Sequence, residues 1–119
     1  MAAPNLSLPT VITGKTARYA VTATLANALA NSAASSKVLK INSVYCANVD
    51  GTNSADIDLT VYNGSTDTYL AKTITVPADA TQLLVTREGY LYLEEGDSLR
   101  AKASAADDLE LVIGYEEIS

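Results

Sequence analysis

Residues 55–62 read Ala55-Asp56-Ile57-Asp58-Leu59-Thr60-Val61-Tyr62, and the period of two in this stretch decides the fold. Ile57, Leu59 and Val61 fall on one side, and Asp56, Asp58, Thr60 and Tyr62 on the other. Successive side chains of a strand point to opposite faces, so this is an antiparallel strand with one face on a core and one in water. Working outward, Asp50-Gly51 and Thr52-Asn53-Ser54 form a polar turn before it, and Asn63-Gly64 is a hairpin signal after it. The returning strand, residues 68–76 (TYLAKTITV), is stopped by Pro77, which cannot donate to a ladder. Residues 81–86, 90–93, 98–103 and 109–116 follow as further strands. The turns between them are Arg87-Glu88-Gly89, Glu95-Gly96-Asp97 and Ala106-Asp107-Asp108.

Upstream, residues 37–49 (KVLKINSVYCANV) read as one long strand. Leu39, Ile41, Tyr45, Ala47 and Val49 share one parity, and Val38, Val44 and Cys46 share the other. A strand apolar on both faces is covered on both, which predicts a core on one side and another subunit on the other. Residues 15–25 alternate as a strand, and the Ala-, Asn- and Ser-rich residues 26–36 read mostly as loop. About eight short strands with turn signals every 8–12 residues or so make an all-β protein. The expectation is an antiparallel β-sandwich, jelly-roll-like or immunoglobulin-like. There is no room for the crossover helices of a parallel sheet.

Residues 1–13 read as an extended N-terminal arm preceding a single sandwich domain over residues 14–119. Pro4 and Pro9 bar helix, while Leu6 and Leu8 alternate with polar neighbours. A frayed tail and an arm laid along a neighbour's sheet edge both remain open for this segment, and the leucines suit the arm.

The 119 residues are one domain's worth, and the chain is 48% apolar, enough to build a core without staples. Phe and Trp are absent and all seven aromatics are Tyr, so aliphatic side chains fill the interior. The tyrosines belong at edges and interfaces, where the hydroxyl finds a partner. Eight basic residues scattered among fourteen acidic ones argue against nucleic acid, because phosphate binding needs clustered cations. No segment is apolar for the length of a membrane helix, and no basic leader with an apolar stretch opens the chain. Cys46, the single cysteine, lies in an apolar run and reads as a small buried hydrophobe.

The absence of histidine removes His-based triads and His metal sites. Asp56 and Asp58 share a strand face and could in principle share a cation or act as acid and base, but a solvated face is the preferred reading. The clusters Glu94-Glu95-Asp97 and Asp107-Asp108-Glu110 lack the spacing of a calcium loop, and turn chemistry accounts for them better. The expectation is no enzyme, no cofactor and no resident metal. Protein contact is the preferred use of Tyr62 and Tyr69, which flank one hairpin; a sugar-stacking platform, and with it a carbohydrate-binding module, is the alternative. The candidate interface residues are Pro4, Leu6, Leu8, Pro9, Val38, Val44, Tyr62 and Tyr69.

The segments KVLKINSVYCANVDG, VPADATQLLV and YLYLEEGDSLRAKAS and the ending GYEEIS, taken in order from Lys37 to Ser119, resemble small virion structural proteins of tailed bacteriophages. The resemblance implies a β-sandwich made in the host cytoplasm and carried in the virion, with the capsid surface favoured. It further implies a decoration or cement protein that binds major capsid subunits as a homo-oligomer, with a trimer favoured. Neck, tail and baseplate positions are the alternatives that it leaves open.

Overall fold

A computed structural model describes residues 4–119. Among them the strands are β1 (Ile12–Ala20), β2 (Ala26–Ala30), β3 (Val38–Asn48), β4 (Ala55–Tyr62), β5 (Asp67–Val76), β6 (Thr81–Val85), β7 (Leu91–Leu93), β8 (Ser98–Ala103) and β9 (Leu109–Ile118). One sheet runs β1-β9-β3-β6 with β7 also on β3, and the other runs β2-β8-β4-β5. All the pairings are antiparallel. β6 and β7 occupy consecutive stretches of the same edge of β3, so they act as one strand interrupted by a single 3-10 turn at Arg87–Gly89.

Each of the first three connections, from β1 through β4, crosses to the opposite sheet. That wrapping is the jelly roll, and it decides between the two sandwich types expected from sequence. An immunoglobulin sandwich instead keeps its first two strands in one sheet. Residues 26–30, read from sequence mostly as loop, form β2. Ala and Asn have little preference for strands, and here the ladder to β8 supplies the order that propensity does not. The arm is shorter than expected, because Ile12 and Thr13 already pair with Ile118 and Glu117. Residues 1–3 of it lie outside the described residues.

The aliphatic core is filled by Ile41, Ile57, Leu59, Leu93, Leu99, Leu109, Leu111 and Ile113, all fully buried. The alternation of β4 holds: Ala55, Ile57 and Leu59 point inward, and Asp56, Asp58 and Tyr62 outward. β3 departs from simple alternation. Its register with β9 runs Ile41↔Tyr115 and then Ser43↔Gly114, leaving Asn42 as an extra residue. One inserted residue reverses the parity of everything after it. Leu39 and Ile41 before the bulge, and Val44 and Cys46 after it, therefore all point into the core, while Tyr45 and Ala47 point out. Val44, a candidate interface residue by parity counting, is instead a fully buried core residue.

Two buried asparagines fasten loops at the two ends of β3. Asn48 donates to the carbonyls of Asn53 and Val76 (3.0 and 2.9 Å) and accepts from the Asp50 N–H (2.9 Å). Asn31 donates to the carbonyls of Lys37 and Leu93 (2.9 and 3.0 Å) and accepts from the Ser35 hydroxyl (2.6 Å). Each amide meets backbone groups that would otherwise be buried without partners.

Gly114 sits opposite the bulge, and a Cβ built on it would lie 2.8 Å from the Ser43 hydroxyl oxygen. Gly114→Ala should lower stability by about 1–2 kcal/mol through this overlap. Ser43→Ala on the same chain should recover most of the loss, as read by urea unfolding followed by far-UV circular dichroism. A Gly114→Ala midpoint equal to wild type would show that the hydroxyl simply turns away.

Candidate interaction surfaces

The N-terminal segment leaves the sheet at its β1 edge. The Thr10 and Val11 N–H groups donate to the Ser119 carbonyl (2.6 and 3.0 Å), and the Ser119 N–H donates back to Val11 (2.9 Å). The ladder thus extends one step beyond β1. Residues before it turn back across the outer face of the β1-β9-β3-β6 sheet. Pro4 and Leu6 there border a shallow cleft of about 290 Å³ with Val38, Tyr92 and Glu94. Val38 and its ladder neighbour Ile118 are buried even though they alternate away from the core, because the arm lies over this end of the sheet. Val38 does face away from the core, as its parity suggested, but the chain's own arm covers it. Leu8 is left 81% exposed and Ile12 57%, while Pro9 is half-buried.

On the other side of the sheet at this end, in register with Leu39, Glu117 on β9 accepts from Lys37 Nζ at 2.8 Å and from Lys15 Nζ at 3.1 Å. The Lys37 ammonium first, and Lys15 after it, hold the Glu117 carboxyl below its ordinary value of 4.5.

Farther along the same outer face the ladder aligns Arg18, Val112, Tyr45 and Leu83 into one row across β1, β9, β3 and β6. Val112, Tyr45 and Leu83 are each more than two-fifths exposed. The next row holds Ala20, Glu110, Ala47 and Thr81, and the row on the other side includes Thr16, Gly114 and Ser43. Apart from Arg18 and Glu110 these flanks carry only small side chains, so the face is flat. Sequence reading missed this row because it placed Tyr45 with Leu39 and Ile41. The signal was present in β9, where Val112 is apolar at the parity of Glu110 and opposite to Leu109, Leu111 and Ile113.

The outer face of the second sheet is polar. Arg100 donates to Asp67 at 3.2 Å and lies 4.3 Å from the centroid of the Tyr62 ring. Thr60 donates to the same Asp67 at 2.7 Å, and Lys72 lies 4.5 Å over Tyr69. Tyr62 and Tyr69 do share one face, as their position about the hairpin suggested, with a cation against each ring.

Several of the carboxylates that invited a chemical reading accept from local backbone or hydroxyl donors. Asp58 accepts from the Thr73 N–H at 2.7 Å, fixing Thr73 in a left-handed conformation at a bulge of β5. Asp56 accepts from the Thr75 hydroxyl at 2.7 Å. Glu95 accepts from the Ser36 N–H (2.9 Å) and Asp97 from the Glu94 N–H (3.1 Å). At the opposite end, Asp50 accepts from the N–H groups of Thr52 and Asn53, which lower its pKa. The neighbouring Asp108 is raised, first by desolvation and then by the charge of Asp50. Among the described residues no three acidic or thiol side chains converge on a point that could hold a metal ion. Burial pushes the Cys46 thiol up to about 11, which keeps it a neutral packing group.

No family model matches this chain, and no curated protein matches it. Among solved structures it is similar to one described as "Bacillus endospore appendages form a novel family of disulfide-linked pili". The TM-score is 0.55 at 16% identity, covering 100% of this chain and 96% of that one. Two crystal structures of a pentameric capsid protein isolated from metagenomic phage sequences align with a TM-score of 0.41 at 18% identity. They cover 87% of this chain and 60% and 64% of those. The first likeness is one of fold, and the second is too partial to argue from.

Because its folded pKa is depressed, Glu117 contributes stability above the ordinary glutamate range, and that contribution is lost as pH falls through the folded value. Glu117→Gln should lower stability near neutral pH by roughly 1 kcal/mol or less, since both lysines are two-fifths exposed. The gap between variant and wild type should close as pH falls below the ordinary glutamate value of 4.5 and through the lowered folded value. Thermal melts across that range test it, and a gap that persists in acid would refute the assignment.

Proposed function

We propose that this chain is a virion structural protein, a capsid decoration or cement subunit that binds neighbouring major capsid subunits and carries out no reaction. The observation that carries the reading is the apolar surface left open at the N-terminal end, where Leu8 is 81% and Ile12 57% exposed although the segment is held by the ladder to Ser119 and lies against Val38 at Pro4 and Leu6. An extended segment gains affinity through main-chain hydrogen bonds, while its alternate side chains set register. The jelly roll itself is a body that virus capsids and lectins share, so the fold supports an assembly role without specifying one. The order of segments from Lys37 to Ser119 favours the phage setting.

A second reading, a subunit of an extracellular filament, is favoured by the full-length likeness to an appendage described as disulfide-linked pili. Against covalent linkage of that kind stands Cys46, which is the only cysteine of this chain and is fully buried. Any assembly through the folded body is therefore without a disulfide.

Deleting residues 1–9 should leave the far-UV spectrum unchanged and abolish co-sedimentation with purified capsids. Quantitative mass spectrometry of particles should find hundreds of copies, whereas a handful of copies would place the chain in a neck, tail or baseplate. Retention of binding by the deletion would remove the arm from the mechanism. Filaments of the pure protein in negative stain would favour the second reading.

A further inference from the structure

We infer that the flat outer face carrying Arg18, Val112, Tyr45 and Leu83 is a two-fold contact with a second copy of this chain. This inference does not rest on the capsid reading. The row lies in register across four strands and is open where the arm does not reach. A flat apolar face bounded by small side chains fits another flat sheet better than a convex partner, and sheets pack face to face about 10 Å apart.

The charges indicate which sheet. Arg18 is the cation of this row, at its β1 edge, and Glu110 stands diagonally from it on β9, one row along; Lys40 lies farther along the same face, in register with Glu116 and over the Tyr90 ring. The offset is about 4.8 Å across the strands and about 6.6 Å along them. A two-fold axis lying in the contact plane midway between these positions sets Arg18 of each copy against Glu110 of the other. The same axis lays Tyr45 of one copy close to Val112 of the other. It crosses the strands of the two copies at roughly 70°, near the orthogonal class of sheet packing. An isologous contact of this kind closes on itself and leaves no half-open surface.

The size of the face sets the strength. Four strands by about six residues span roughly 400 Å², about half of what each side of a standard interface buries. The pair is therefore weak in dilute solution and is reinforced wherever neighbouring copies are held close on one scaffold. The phage resemblance implies a trimer, and this contact differs from that expectation in being two-fold.

Sedimentation equilibrium over a wide concentration range, in low salt, tests the contact. The wild type should show a monomer–dimer equilibrium. Tyr45→Asp should remove it while leaving the melting curve near wild type, because the side chain points away from the core. Arg18→Glu and Glu110→Arg should each weaken dimerisation by about ten-fold, and the double reversal should restore it to within about three-fold of wild type. A strict monomer at the highest concentration overturns the inference. So does a trimer, or a dimer indifferent to Tyr45→Asp, or a double reversal no better than the single ones. Face variants that lose capsid binding while self-association is absent throughout would assign the surface to a different protein.

Discussion

The pairing of β3 with β9, with one extra residue at Asn42, is the constraint on which the rest depends. These two strands form the middle of the first sheet, flanked by β1 on one side and by β6 and β7 on the other. Before the bulge the core is served by Leu39 and Ile41, and after it by Val44 and Cys46. Without the extra residue, half of this strand would turn its aliphatic side chains to water and Tyr45 to the core. Gly114 completes the device, because the partner strand must pass close to Ser43 at the same point. The position of Tyr45 on the open row and the burial of Val44 are two consequences of the same local geometry.

The two sheets expose different chemistry, and each exposure has a packing reason. The β2-β8-β4-β5 face is polar and cross-linked, with Arg100 joining Asp67 and Tyr62, and Thr60 sharing the same carboxylate. Its edge strand β5 is broken by register shifts and a left-handed Thr73, features that spoil an edge for further pairing. The other sheet has a regular edge in β1 and a face whose apolar side chains lack cover except beneath the arm. A single aliphatic core with no Phe or Trp closes the sandwich, and assembly falls to the surfaces that the core leaves unused.

The acidic residues show why composition alone misleads about chemistry. Asp58 serves the Thr73 N–H, Glu95 the Ser36 N–H, and Asp50 the N–H groups of the turn that follows it. Buried or strained backbone donors need acceptors, and a jelly roll with many tight connections supplies many such donors. A carboxylate held in this way is part of the loop. At the Asp50–Asp108 approach like charges do face one another, and there Asp108 is raised by desolvation and by its neighbour.

The sequence by itself determined the all-β class, the placement of most strands and the two faces of β4, because period-two alternation and turn residues are local properties. It also determined that Cys46 is a core residue. It left the immunoglobulin and jelly-roll sandwiches equally open, since strand order depends on which distant segments pair. It missed β2, whose Ala and Asn side chains prefer no strand and are ordered only by β8. It made Val44 an interface candidate and grouped Tyr45 by parity with Leu39 and Ile41, since a bulge is a relation between two strands and leaves no mark in either one alone. Tertiary structure likewise decided that Val38 lies under the chain's own arm, and that Arg18, Val112, Tyr45 and Leu83, far apart in sequence, form a single row. Such alignments come from long-range register, which one strand's pattern does not contain.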